Sequence, residues 1–389
     1  MNHLKLRMLV CMLTVAMAIP LFTVMKAEAM APNCGSWSVV SSPNGGTSSS
    51  VLNGVATVSA NDVWTVGYFY PLPGNVPART LTEHWNGSNW SVINSPNVGT
   101  NPSLLYATAA SSTNDVWAVG LSYNPGNPSQ TLIEHWNGKK WKVVSSPNAR
   151  SGSNSLYGVA ASSPRDVWAV GYYNNNGSIQ TLIEHWNGRK WAVISSPNSG
   201  AGSTLSGVTA ISKKDAWAVG EYSNGGVEQT LTEQWNGKIW QIVASPNSGQ
   251  SGNSLAGVAA ASSTDVWAVG FFSLSTRQTL VEHWNGTQWS VVSSPNVSAS
   301  DNVLAGVSVI SSTNVWAVGT FSAQGGGFNQ TLTEQWNGTS WSIVPSPNVG
   351  PGNSSLNGVA TIPANSQIWA VGSHDSNSGV PQTLTEFFC

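Results

Sequence analysis

The side chains of this chain that could do chemistry are mostly acids and histidines, and their spacing decides what they are for. Glu83, Glu134, Glu184, Glu233, Glu282, Glu334 and Glu386 occupy one recurring position, and Asp62, Asp115, Asp166, Asp215 and Asp265 occupy another. His84, His135, His185 and His283 each follow one of those glutamates, with Gln234 and Gln335 in the same place elsewhere. Carboxylates beside imidazoles are the material of general acid–base catalysis and metal ligation. A catalytic carboxylate would be expected to break such a pattern, and a position that takes His or Gln alike reads as polar packing. Glu221, Glu228, Asp301 and Asp375 fall outside the pattern but are scattered, and His374-Asp375 stands alone in a Ser/Asn-rich loop. Neither a metal-ligand cluster, a phosphate-cradling Gly loop nor a nucleophile elbow is visible. No catalytic residue, metal or cofactor is therefore expected, and the chain reads as non-enzymatic.

The basic residues follow a different rule, because they cluster. Lys139, Lys140, Arg165, Arg189, Lys190, Lys213, Lys214 and Lys238 are eight of the twelve Lys and Arg beyond residue 29, and all fall in short turns of three consecutive repeats. Equivalent turns elsewhere carry Ser88-Asn89, Thr287-Gln288 and Thr339-Ser340. In a chain of net charge −2 this is a local positive sector, which attracts polyanions in a salt-dependent way. Ordinary solubilising turn charge is the competing reading.

The elements that carry these residues are set by the repeat. Its first Trp recurs at 64, 117, 168, 217, 267, 316 and 369, spacings of 53, 51, 49, 50, 49 and 53 residues. Each unit holds four short apolar runs separated by turn signals, without helical periodicity, which predicts four-stranded propeller blades. The first run is small (Gly158-Val-Ala-Ala161), as strands crowded around an axis require. The second, Asp166-Val-Trp-Ala-Val-Gly171, alternates so that Trp168 and Val170 share one face and Val167 and Ala169 the other. The third ends in Asn187-Gly188, a hairpin signal. The fourth closes with Ser-Pro-Asn, where Pro suits an outer edge strand. By parity each repeat Glu shares a face with the Leu and Trp of its strand, so it is expected to bond backbone or indole donors across blades. All twenty Trp fall at three repeat positions, which marks them chiefly as core.

The chain's ends bear on closure and on compartment. Lys5 and Arg7 precede an apolar run from Met8 to Met25, and Ala27-Glu28-Ala29 supplies small residues at a cleavage site. Residues 1–29 thus read as a signal peptide, an uncleaved anchor being the alternative. The mature domain then spans 34–389, secreted or envelope-associated, with a net charge of about −4 and no transmembrane segment. The last unit stops at Glu386-Phe-Phe-Cys389, short of a fourth strand, and Cys34-Gly-Ser-Trp37 supplies one. A first strand that completes the last blade removes a fraying seam, and Cys34 and Cys389 fall in register for a disulfide at the turn.

A second strand ending in Val-Gly, a Glu-x-aromatic on the third, a tight turn and a Trp opening the fourth resemble the kelch repeat of kelch and galactose-oxidase-type propellers. The likeness runs from Cys34 to Cys389. It departs in carrying one Gly where a pair is usual, Trp186 where Tyr is usual and Asn187-Gly188 where Asp-Pro is common.

The expectation is a monomeric all-β, seven-bladed propeller acting as a binding or scaffold module. Its partner would be a protein or an anionic cell-envelope polymer, with a lectin bearing repeated inter-blade glycan sites as the alternative and an extracellular enzyme as the third reading. Nucleic acid is not expected of an exported chain lacking a basic domain. Variable loops on the face opposite the basic turns (Pro71–Pro77, Asn124–Pro128, Asn174–Gly177 and Gln324–Phe328) are a second place for recognition.

Overall fold

The computed structural model describes residues 35–389 apart from 47, 72–75, 124–125, 298, 324–326 and 364. The expected signal segment, Cys34 and the middles of three variable loops lie outside the described residues. Strands β1 to β28, in chain order, form seven four-stranded antiparallel sheets, so the chain is a seven-bladed β-propeller. Six blades take four consecutive strands, from β2 (Ser50–Ser59) to β25 (Trp341–Ile343). The seventh is ordered β1-β28-β27-β26, so the first strand of the domain is the outermost strand of its last blade.

Blade 3 shows how the residues impose this. Its inner strand β10 (Asn154–Ser163) pairs with β11 (Asp166–Asn175), and the register slips between Leu156 and Gly158, leaving Tyr157 as a bulge residue. The slip turns the carbonyl of Ser155 onto β11, where a Cβ on Gly171 would lie 1.9 Å from that oxygen. Gly is therefore the only residue that fits opposite the bulge. The same slip and the same Gly recur in every blade. Around the axis, neighbouring inner strands nearly touch. A Cβ on Gly158 would sit 3.0 Å from the Ser206 carbonyl of blade 4, and one on Gly207 2.9 Å from the Ala256 carbonyl of blade 5.

Strand alternation then packs one blade on the next. Trp117, Val119 and Ile133 of blade 2 bury against Leu156, Val167, Ala169, Leu182 and Trp191 of blade 3. Trp117 lies 5.0 Å from Trp186 and 5.3 Å edge-on from Trp191, a three-indole contact that recurs between blades. Burying such a ring is worth roughly 4–6 kcal/mol of transfer free energy, an upper figure before chain entropy. At the seam Phe388 takes the place of the middle indole, 4.6 Å from Trp316, and Trp37 completes the set at 5.5 Å.

Two local expectations are corrected. The fourth strand of blade 3, β13 (Trp191–Ile194), ends before Ser196-Pro197-Asn198, so the Pro follows the edge strand and is not part of it. The Asn198 side-chain carbonyl accepts the Thr181 amide at 2.8 Å, replacing the missing ladder bond, and each blade repeats this. The Asn-Gly turn is a four-residue loop between the paired Trp186 and Trp191. Asn187 Oδ1 accepts the Arg189 and Lys190 amides, and Gly188 takes φ +89.

Closure is made by β1 (Trp37–Val39) on β28 (Pro381–Phe388), Trp37 facing Phe388. The Gly35 amide donates to the Cys389 carbonyl at 2.8 Å, and Thr383 donates its amide to Asn44 at 2.9 Å. Two tests follow from this geometry. Gly171→Ala is expected to lower stability by about 1–3 kcal/mol in urea unfolding, because β10 and β11 must separate to admit the methyl group. The Cys34–Cys389 bond remains a proposal. Protein made under oxidising conditions should have an intact mass two hydrogens below its reduced form, and a double Cys→Ser variant should lose up to ~5 kcal/mol. Two titratable thiols in that material would overturn it.

Candidate functional site

Antiparallel connection puts the β10–β11 and β12–β13 turns at one end of blade 3, the lower face, and the β11–β12 hairpin and the link to the next blade at the other. On the lower side, His185 Nε2 lies 2.7 Å from Asp166 Oδ1, and its ring stacks 4.1 Å from that of Trp168. His84–Asp62, His135–Asp115 and His283–Asp265 repeat the pair at 2.9, 2.6 and 2.8 Å. Gln234 and Gln335 reach Asp215 and Asn314 in the same way, at 3.2 and 3.1 Å. The His/Gln position is therefore polar packing of a specific kind, a donor held over a second-strand acceptor. The sequence carries the signal: every His-bearing unit has Asp as the acceptor, and the one with Asn314 has Gln.

Asp166 also accepts from the Ser162 hydroxyl. Serine and imidazole thus both bond the carboxylate, an order that differs from a nucleophile relay, in which the imidazole would take the serine proton. Burial works to raise the Asp166 carboxyl, but the bonds from His185 and Ser162 and the charges of His185 and Lys213 outweigh it and hold the carboxyl below its ordinary range.

The repeat glutamates are fully buried between blades. None bonds the backbone or indole groups that parity had suggested; Glu184 and Glu233 accept from serines of the preceding blade's Ser-Pro-Asn, and the carboxyl oxygens of Glu83, Glu134, Glu282, Glu334 and Glu386 have no hydrogen-bond partner among the described residues. Ser146 Oγ donates to Glu184 at 3.0 Å and Ser196 Oγ to Glu233 at 2.8 Å. Parity identified the face of the sheet, while the offset between blades chose the partner. Burial pushes Glu134, Glu184, Glu233, Glu282, Glu334 and Glu386 up to about 8, with a facing serine pulling all but Glu386 partly back. Glu83 is raised well above its ordinary range for the same reason. These are buried carboxylic acids serving the blade interface.

Of the eight basic residues, the structure brings three together. Arg165, Arg189 and Lys213, with Asn187 and Gly188, line a cavity of about 520 Å³ on the lower face between blades 3 and 4. Gly188 makes room for this: a Cβ there would be 2.8 Å from Cγ of Arg165, whose stem lies across the turn. Lys214 lies against Gly237 in the next blade, and Lys139, Lys140, Lys190 and Lys238 are exposed on turns whose amides are tied to Asn137, Asn187 and Asn236. Those five share the face but not the cavity. Among the described residues every ion pair is a His–Asp pair, so no acid compensates these cations at contact distance. His374-Asp375 is absorbed locally, because Asp375 accepts from the amide and side chain of Asn353.

One group was missed by sequence reasoning. The seven bulge residues are Asn53, Tyr106, Tyr157, Ser206, Ala256, Ala305 and Asn357, each flanked by Leu on one side and Gly or Ala on the other. A space of about 170 Å³ on the axis is lined by inner-strand residues of all seven blades, Tyr106 and Tyr157 among them. Tyr106 lies 5.3 Å from Tyr157, and Tyr157 lies 5.8 Å from Tyr172. The pattern-breaking rule applied to the acids would have found these tyrosines had it been applied to the inner strand.

The fold and these sites define a seven-bladed propeller whose repeated polar groups are structural, and two sets of unrepeated residues, three cations and two tyrosines, each line one space. No family model matches the sequence and no curated protein does, so the kelch resemblance stands at the level of propeller architecture. Among solved structures the chain is similar to YCF48 bound to D1 peptide, with a TM-score of 0.55 and 15% identity over 91% of this chain and 97% of that one. YCF48 from Cyanidioschyzon merolae gives 0.55 and 14%, over 91% and 98%. A Dyadobacter fermentans protein of unknown function gives 0.50 and 8%, over 91% and 98%. At these identities the likeness is one of fold.

The glutamates generate a test. Their carboxyls bind protons more tightly folded than unfolded, so their contribution is fully present below pH 4.5 and is lost as pH rises toward about 8. Unfolding free energy should therefore fall from pH 5 to pH 8, by at most about 1.4 kcal/mol per pH unit per glutamate. The lowered Asp115 and Asp166 act with opposite sign, but only below about pH 4. Glu184→Gln should remove one share of the slope in urea titrations at fixed pH. A parent whose stability is level across this window contradicts the assignment.

Proposed function

We propose that this chain is an exported, non-enzymatic binding module whose lower face holds an anionic polymer of the cell envelope. The observation that carries this reading is the convergence of Arg165, Arg189 and Lys213 on one cavity, with no acid at ion-pair distance from any of them among the described residues. Guanidinium groups suit phosphate and carboxylate oxygens, which they can meet in a two-pronged geometry. The remaining five cations lie on turns of the same face and add attraction that salt screens. The non-enzymatic part is supported by the fates of the repeated acids: seven are buried between blades and the aspartates hold His or Gln. Export rests on residues 1–29 of the sequence. A protein partner is the second reading, and the solved YCF48 complex with a D1 peptide is an instance of a similar fold holding one.

The measurement is retention on isolated cell envelopes across a salt series. The parent should bind at low ionic strength and elute as salt rises. A variant with Lys139, Lys140, Arg189, Lys190, Lys213 and Lys214 changed to Ser or Thr, as other blades have, should lose at least tenfold of that retention while unfolding normally. Equal retention of the two proteins at low salt would reduce the sector to solvated turn charge.

A further inference from the structure

The axial tyrosines carry an inference independent of the basic face. A β-bulge re-aims the side chain of its extra residue, and here seven bulges set seven side chains around one axis. Folding fixes the neighbours of each bulge residue, Leu before it and Gly or Ala after it, but leaves the bulge residue itself free to vary. The choice made is lopsided. Blades 2 and 3 place Tyr106 and Tyr157 there, while blades 4, 5 and 6 place Ser206, Ala256 and Ala305. One further ring, Tyr172, lies beside Tyr157, and in blade 1 Tyr68 meets Tyr70 edge-on at 5.9 Å.

The result is an aromatic wall on one side of the axial space and small side chains on the other. All seven bulge residues are partly exposed, so the wall is accessible. Burial first, and the neighbouring phenols second, raise Tyr68 and Tyr106, so these rings stay neutral hydroxyl donors. The side-chain amides of Asn53 and Asn357, which also line the space, donate to the carbonyls of Leu105 and Leu52 at 2.8 and 2.9 Å, and their side-chain oxygens remain acceptors. Among the described residues no charged side chain lines it. Phenol faces offer apolar contact and their rims offer hydroxyls. About 170 Å³ is below the usual range for drug-sized ligands and suits one ring-sized group.

We propose that the axial space is a single binding site for a neutral sugar ring. Its C–H face stacks on Tyr106 and Tyr157, and its hydroxyls meet the phenols, Ser206 and the Asn53 and Asn357 carbonyls. This differs from a lectin with repeated inter-blade sites, because it predicts one site per chain.

The test uses substitutions that other blades already carry. Tyr106→Ala and Tyr157→Ser reproduce residues found at the same bulge in blades 4 to 6, so the double variant should keep the parent's unfolding midpoint. Parent, double variant and the lower-face variant are applied to an array of neutral hexose- and N-acetylhexosamine-terminated oligosaccharides, and any hit is titrated by calorimetry. The proposal expects a stoichiometry of one, loss of at least tenfold in affinity in the tyrosine variant, and parent-like binding in the lower-face variant. It is overturned if no neutral glycan binds, if the tyrosine variant binds as well as the parent, or if the stoichiometry approaches the blade number. Displacement of the glycan by equimolar tetramethylammonium would also overturn it, since the rings would then be a cation cage.

Discussion

The structure depends on the close approach of backbones around its axis. Inner strands of neighbouring blades pass so near that a single Cβ at Gly158 or Gly207 would crowd the next strand's carbonyl. The bulge beside each of these glycines bends the inner strand and drives a carbonyl toward the second strand, where only Gly at the end of Val-Gly fits. With that curvature fixed, the outer parts of the blades diverge as wedges, and the gap between them widens outward. Large aromatic side chains fill it, and the three-indole contact is the form this takes.

The polar groups make sense in the same frame. A wedge-shaped interface lined by indoles has few places for a hydrogen bond, so the glutamate and serine meet where the third strand of one blade faces the Ser-Pro-Asn of its neighbour. The His–Asp pair lies toward the lower rim, where the imidazole roofs the second-strand Trp. Seven near-identical interfaces thus use up most of the residues that would otherwise suggest chemistry. What distinguishes one blade from another lies mostly in the turns and at the bulge position, with smaller exchanges such as His for Gln on the third strand.

Much of this was legible in the sequence because period-two alternation and a fifty-residue repeat are geometric statements. Trp168 and Val170 were assignable to one face, and Cys34-Gly-Ser-Trp37 to the last blade, without knowing any distance. The remainder depends on offsets that alternation does not encode. Parity gave the face of Glu184, but Ser146 is opposite it only because adjacent blades are displaced. Asn198 stands in for a ladder bond only because the edge strand stops at Ile194. Tyr106 and Tyr157 reach the axis only because the register slips by one residue, which turns a strand residue that ordinary alternation would place elsewhere. Of the eight clustered cations, sequence showed their common face, and the stem of Arg165 lying over Gly188 selected three of them.

The exchange of strands at the seam has a consequence for synthesis. Ser38 and Phe387, bonded across β1 and β28, are separated by 349 positions, so the first strand made waits for the last before it has a partner. Blades 1 to 6 are built from contiguous chain and can form in the order they emerge. The seventh assembles only when both ends are present, and it carries nearly the whole loop-closure entropy of the ring in one late step. Until then β1 and the exposed flanks of blades 1 and 6 are open strand and indole surfaces, and an incomplete chain is for that interval a sticky, unsealed arc.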